Sequence, residues 1–308
     1  MIKDTIALSN WLKAGYNSGI TVDSLLSTVL GRSPNNMLEL RCTVRNCGQV
    51  LVRTEAGLGC AAGHHFDQAR EGYWNLTQPQ DKKSNNPGDN REAVLARHRW
   101  LERGHTNGLA EVLRDWAAGG VTRPRVMDLG CGDGSFGPMV FPEQAATFGG
   151  IDLSKPAIKL AAKRWPEATW ILANADRGLP AMDSSVDCVM SLFGRRPVSE
   201  IRRVLSDSGI CIVAVPAEDD LIELREVVQK HGARRSRIDA IVEEMQGSDL
   251  RCVARKQWRT RVAIGPDDIE DALAMTYRAR RWSERNRIAS IENTTVTLAA
   301  DLMLFNLD

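Results

Sequence analysis

The 308-residue chain has no run of eighteen apolar residues, and near its N-terminus Lys3, Asp4, Lys13 and Asn17 interrupt every apolar stretch. The first absence excludes a helix that spans a bilayer and the second a secretion signal, so the sequence reads as cytoplasmic, with no membrane partner. A disulfide framework is missing too. There are seven cysteines, an odd number, and Cys131, Cys188, Cys211 and Cys252 stand isolated while Cys42, Cys47 and Cys60 cluster. That distribution fits reduced thiols plus a metal site. Net charge is almost absent, at +1, yet residues 225–287 hold fifteen Lys and Arg against ten Asp and Glu. The local excess favours an anionic partner. What remains, 43% hydrophobic and 26% charged residues, excludes disorder and fibre and is enough for one full α/β domain with a smaller companion.

Three segments follow from the patterning. Residues 1–37 form a helical N-terminal extension, with weakly amphipathic stretches at 5–14 and 22–30 and a breaker sequence from Gly31 to Asn36. Residues 38–112 begin with short strands and turns around a Cys/His cluster, too little core to fold without a staple, and end in helical periodicity at 91–116 interrupted at Gly104. Residues 113–308 then alternate. Strands are expected at 126–129, 147–152, 170–173, 186–193 and 210–215, with helices at 135–141 and 156–164 between them. This alternation implies a doubly wound, mostly parallel sheet. Strands at 259–264 and 293–307 would close it as a hairpin and bring the count to seven.

The turn Asp128-Leu129-Gly130-Cys131-Gly132-Asp133-Gly134 follows the first of these strands, where glycine lets a ligand approach backbone closely. Asp152, at the end of the second strand, is placed to accept hydrogen bonds from a ribose, and Asn174 and Ala175 end the third. A nicotinamide dinucleotide would call for GxGxxG and a pyrophosphate. Carboxylates beside GxGxG repel phosphate and suit the sulfonium and ammonium groups of S-adenosylmethionine instead. The candidate cofactor set is Asp128, Gly130, Cys131, Gly132, Gly134, Asp152, Leu153, Asn174 and Ala175. In the preceding segment, Cys42-x4-Cys47 and Cys60-x3-His64 make two ligand pairs suited to tetrahedral, structural zinc, with His65 a competing ligand beside His64.

Together with Glu71-Gly72-Tyr73-Trp74-Asn75-Leu76 and Asn86-Pro87-Gly88-Asp89, these motifs resemble the RlmA-type 23S rRNA guanine-N1 methyltransferases from about Leu38 to the end. The resemblance implies a zinc domain at Cys42, Cys47, Cys60 and His64, followed by a class I, Rossmann-like methyltransferase domain. It further implies that the enzyme modifies a guanine in a large-subunit rRNA hairpin. Some branches of the family confer macrolide-type resistance, and some members are homodimers. Where the family usually has an aromatic residue and then Ala-Pro, this sequence has Phe193-Gly194-Arg195-Arg196-Pro197. Phe193 remains as a stacking platform, and Arg195 is the candidate to stabilise charge on guanine O6.

Lys82, Lys83, Arg97, His98, Arg99, Arg103, Arg234, Arg235, Arg255, Lys256, Arg278, Arg280 and Arg281 are candidate phosphate contacts, interleaved with Trp100, Trp258 and Trp282. Two other functions stay open from sequence: methylation of another RNA or a small molecule, and RNA binding without turnover.

Overall fold

The computed structural model describes residues 37–83, 88–117, 121, 123–142, 147–229, 236–276 and 293–307. The chain divides into two units, Met1–Met37 and Leu38–Asp308, and every element below belongs to the second. The helices expected at 5–14 and 22–30 lie outside the described residues.

Four short strands, β1 (Leu40–Arg41), β2 (Val50–Thr54), β3 (Gly57–Gly59) and β4 (His65–Phe66), form an antiparallel sheet in that order. Its apolar content is small: Leu40, Leu51, Leu58 and Phe66 are its buried side chains. The next strand, β5 (Trp74–Asn75), leaves this sheet and runs parallel to β8 (Thr169–Leu172), pairing Trp74 with Ile171 and Asn75 with Leu172.

The large sheet therefore has eight strands where seven are expected. Its order is β11 (Leu250–Ile264), β12 (Thr294–Leu307), β10 (Leu205–Pro216), β9 (Val186–Leu192), β6 (Arg125–Leu129), β7 (Thr147–Asp152), β8 and β5. A two-residue strand carries no periodicity, which is why sequence patterning passes over β5. Strands β5 to β10 run parallel, and β12 and β11 add antiparallel at the far edge. From β6 the chain winds one way through β7 and β8 and the other way through β9 and β10. Open sheets of this kind bind ligands in the crevice at the carboxyl ends of strands beside such a reversal.

Helices α1 (Arg91–Glu102) and α2 (Asn107–Ala117) flank Gly104, whose positive φ of 76° turns the chain between them. The Asn90 side chain caps α1 by accepting from the Ala93 N–H at 2.9 Å. Leu109 and Leu113 of α2 sit in one core with Val126, Cys188, Met190, Ile212 and Leu302, so this helix packs on the large sheet. Helices α3 (Phe136–Val140) and α4 (Lys155–Arg164) follow β6 and β7. Four more, α5 (Val198–Val204), α6 (Ile222–Gln229), α7 (Ile238–Gln246) and α8 (Pro266–Thr276), are not anticipated by the sequence reading. No described helix is long and apolar enough to cross a membrane. All seven cysteines are free thiols.

Candidate active site and metal centre

At the end of β6, the N–H groups of Gly130 and Cys131 both donate to the Ile151 carbonyl, at 2.8 and 3.1 Å, which ties the glycine turn to β7. Gly130, Gly132 and Gly134 all take positive φ, 70°, 59° and 77°. Below the turn there is no room at Gly134, where a Cβ would overlap the Trp170 ring. Above it, a Cβ on Gly132 would meet only Arg97, at 3.9 Å. The turn thus packs downward and leaves its upper face to a cavity of about 670 Å3. Asp128, Gly130, Cys131, Gly132, Asp152, Leu153, Asn174 and Ala175 line that cavity, and Phe193 and Arg195 stand at its margin. Gly134 does not line it.

Three carboxylates surround the turn, and their surroundings separate them. Asp133 is held by His98 at 2.8 Å, Arg164 at 3.1 Å and the Ser135 hydroxyl at 2.7 Å, so it braces the fold and is not available to a cationic ligand. Asp152 accepts from the Gly132 N–H at 3.0 Å and the Ser154 N–H at 2.7 Å. Asp128 is 2% exposed and has no hydrogen-bond partner among the described residues. Burial, with the charges of Asp152 and Asp133 adding, pushes its carboxyl up to about 8. An unpartnered buried carboxyl on a cavity wall is a receptor for a cation, which would satisfy it. On the same wall Arg97 pairs with Asp89 at 2.8 Å. A cavity offering both a carboxyl and a guanidinium fits the ammonium and carboxylate of an amino-acid ligand such as the methionyl end of S-adenosylmethionine. Sequence reasoning missed Arg97 and Asp89 as cavity residues, because it read the first as a phosphate contact and the second only as part of a motif.

Phe193 holds a positive φ of 59°, a conformation that bulky residues rarely adopt. Its N–H donates to the Ala214 carbonyl at 2.8 Å, and its ring, 46% exposed, lies 6.4 Å from that of Phe136. At Gly194 a Cβ would come 2.7 Å from the Leu129 carbonyl oxygen. Glycine at this position has a local reason, since the loop lies against the end of β6 too closely for a side chain. Arg195 is 78% exposed and pairs with Asp176 at 2.7 Å.

The second cluster lies in the small sheet. The ligand atoms of Cys42, Cys47, Cys60 and His64 all fall within 4.8 Å of one another. The Cys47 and Cys60 sulfurs are 3.8 Å apart, and His64 Nδ1 lies 3.5 Å from the Cys42 sulfur and 3.4 Å from that of Cys60. Tetrahedral zinc with bonds of about 2.3 Å to sulfur and 2.0 Å to nitrogen needs edges of about 3.8 and 3.5 Å. Three of the donor–donor distances thus already match the edges of a zinc tetrahedron. Outweighing desolvation, the backbone N–H groups of His64 and Ala62 hold the Cys60 thiol down at about 7. His65 is not a ligand: its ring is directed to Asp67, at 3.2 Å.

Several candidate phosphate contacts are corrected by their partners. Arg97 and His98 face Asp89 and Asp133, and Arg99 and Arg103 both bind the buried Asp271. These four face carboxylates of the chain itself because α1 packs between the turn and α8. Trp100 is core, 3% exposed, against Leu224, Ile269 and Leu298. Arg255 and Lys256 are exposed on the edge strand β11. Arg234, Arg235, Arg278, Arg280, Arg281 and Trp282, and the side chains of Lys82 and Lys83, lie outside the described residues.

Comparison with known proteins divides along the same lines. Residues 40–85 match a family model described as RlmA, N-terminal, and residues 126–209 match one described as methyltransferase domain. A 23S rRNA (guanine(748)-N(1))-methyltransferase of Streptomyces fradiae is 31% identical over 240 residues, which cover 77% of this chain and 84% of the relative. The chain belongs to the 23S rRNA guanine-N1 methyltransferase family. A provisionally named 23S rRNA (guanine-N(1)-)-methyltransferase of Micromonospora griseorubida is 29% identical over 82% of this chain and 94% of its own length. By contrast, a demethylmenaquinone methyltransferase of Tropheryma whipplei matches over only 27% of this chain. The methyltransferase model spans the glycine turn and the RlmA model spans the Cys/His cluster. The methyltransferase uses S-adenosylmethionine, and its ribbon carries a zinc centre.

Proposed function

We propose that this methyltransferase transfers a methyl group to N1 of a guanine in a hairpin of 23S rRNA. The observation that carries the reading is the cavity at the carboxyl ends of the parallel strands, where the unpartnered Asp128 carboxyl lies inside and the exposed Phe193 ring stands at the margin. Bound S-adenosylmethionine supplies an electrophilic methyl on a sulfonium. Asp128 and Arg97 hold its amino-acid end, Asp152 the ribose, and Asn174 and Ala175 edge the adenine. Gly130, Cys131 and Gly132 allow the ligand against backbone, while Gly134 seats the turn on Trp170.

Phe193 stacks on the target base, as aromatic side chains do with unpaired RNA bases. Arg195, carried on the same loop, brings positive charge toward guanine O6. Positioning the nitrogen in line with the methyl group provides much of the rate. In this reading residues 38–112 recognise RNA and residues 113–308 perform transfer, with α2 running across that boundary. The protein acts in the cytoplasm, where its rRNA is made, and a homodimer is carried forward from the family resemblance.

Primer extension and nucleoside mass spectrometry on large-subunit rRNA, with an Asp128→Ala control, test the function. N1-methylguanine present only with the unaltered protein supports it. Cofactor binding without that product on naked or assembling subunits would remove it. Sedimentation tests the dimer separately.

A further inference from the structure

Beside the cofactor cavity lies a second recess, of about 300 Å3, which shares Asp176, Phe193, Gly194 and Arg195 with it. Its far walls are Arg196, the end of β10 at Val215 and Pro216, Arg237, and Glu244 of α7. It therefore sits at the carboxyl ends of β9 and β10, next to where the methyl group would be presented. Two of its groups face each other through charge, Glu244 acting on the Arg196 guanidinium. The Arg196 Nε is buried without a hydrogen-bond partner, and Glu244 makes no hydrogen bond or ion pair among the described residues. Asp176, the other carboxylate of the recess, is paired with Arg195 at 2.7 Å.

A guanine edge offers N–H donors at N1 and N2 and an acceptor at O6, so its partners are one carboxylate and one cationic donor. Adenine carries an acceptor at N1 and a donor at position 6 and would meet the wrong partner at both. Resting on the function proposed above, we infer that this recess receives the target guanine, with Glu244 as the base that takes the N1 proton and Arg196 as the hydrogen-bond donor to O6, beside the positive charge of Arg195. The N1–H proton passes to a Glu244 carboxylate oxygen. The N1 electron pair forms the new bond to the methyl carbon, and the methyl–sulfur bond breaks with its pair remaining on sulfur, leaving a neutral thioether. Glu244 then releases its proton to water. Asp176 is already engaged by the Arg195 guanidinium at 2.7 Å, which leaves Glu244 as the carboxylate open to act as the base.

The test is single-turnover methylation of large-subunit rRNA by the unaltered protein, Glu244→Gln and Asp176→Asn. Loss of a general base costs about 100- to 10,000-fold. Glu244→Gln should show such a loss while cofactor and rRNA affinities stay within about threefold, and its residual rate should climb about tenfold per pH unit as hydroxide replaces the base. In cofactor-free protein, calorimetry should find guanosine monophosphate bound about tenfold or more tightly than adenosine monophosphate, a preference that Glu244→Gln and Arg196→Met abolish. A Glu244→Gln rate near that of the unaltered protein, the pH signature appearing in Asp176→Asn instead, or an unchanged nucleotide preference overturns the inference while the rRNA reading stands. If the unaltered protein yields no N1-methylguanine, both fall.

Discussion

Asp128→Asn keeps the shape of the cavity and removes one titratable proton. In the cofactor-free protein, burial and then the charges of Asp152 and Asp133 hold this carboxyl at about 8 against an ordinary 3.8. A carboxyl raised in the folded state binds its proton more tightly there than when unfolded. The stability tied to that proton is full below about pH 4 and is lost as the pH rises toward about 8. The loss accumulates at about 1.4 kcal/mol per pH unit and reaches about 4 kcal/mol at pH 7. Asparagine has no proton to lose. Urea unfolding of zinc-saturated protein between pH 5 and pH 9 should therefore find the variant gaining on the unaltered protein up to about pH 8 and holding its lead above it. Cofactor binding reverses the advantage, because a cationic ligand favours the carboxylate. At pH 7 the unaltered protein should release most of one proton on binding S-adenosylmethionine, since a group titrating near 8 is mainly protonated there. Calorimetry in buffers of different ionisation heat reads this, and the variant should bind more weakly and release none. Parallel stability profiles, or binding without proton release, would refute the reasoning.

Two further outcomes follow from the packing around the turn. Asp271→Asn leaves Arg99 and Arg103 facing a neutral side chain where a carboxylate 3% exposed now binds both. Because Arg99 is half exposed, the expected loss is about 2 kcal/mol in urea unfolding, and a change below about 0.5 kcal/mol would count against the pair. Gly134→Ala combines a left-handed backbone with overlap on Trp170 and should cost about 2–4 kcal/mol, read by denaturation and tryptophan fluorescence. A neutral result would mean that the turn can shift away from the Trp170 ring.

Much of the site was legible because its chemistry is local in sequence. The run from Asp128 to Gly134 and the two ligand pairs of the ribbon each lie within a few tens of residues, and both clusters form around those side chains. What stayed hidden depends on partners distant in sequence. Arg99 reads as a surface cation until Asp271 is placed beside it, and Arg97 reads as a phosphate contact until Asp89 and the cavity adjoin it. Glu244 gave no signal at all, since its meaning comes only from the ends of β9 and β10 arriving at the same recess. Likewise β5 is too short for a period of two to register, although it joins the ribbon to the large sheet.

That junction predicts that zinc and cofactor binding are interdependent. Thr43, next to the ligand Cys42, donates its hydroxyl proton to the Leu76 carbonyl at 2.7 Å, and the Gln78 side chain donates to the Thr43 oxygen at 3.1 Å. Leu76 in turn donates its N–H to the Leu172 carbonyl of β8 at 3.0 Å. Three residues beyond Gln78, Asp81 accepts from the Gln78 N–H at 2.8 Å and from the Asn174 amide at 3.2 Å on the cofactor wall. A run of hydrogen bonds therefore links Thr43, the residue after the ligand Cys42, to Asn174 on the cavity wall. Stripping zinc frees the Cys42 loop and with it the anchor of this run. Cofactor affinity should fall by about 5- to 30-fold, equivalent to 1–2 kcal/mol, even while circular dichroism shows the large sheet intact. Asp81→Asn and Thr43→Val in zinc-loaded protein should each reproduce part of the loss, because they interrupt the same run at different points. If chelation leaves cofactor affinity unchanged, the ribbon and the cavity are energetically separate, and β5 is only a tether between them.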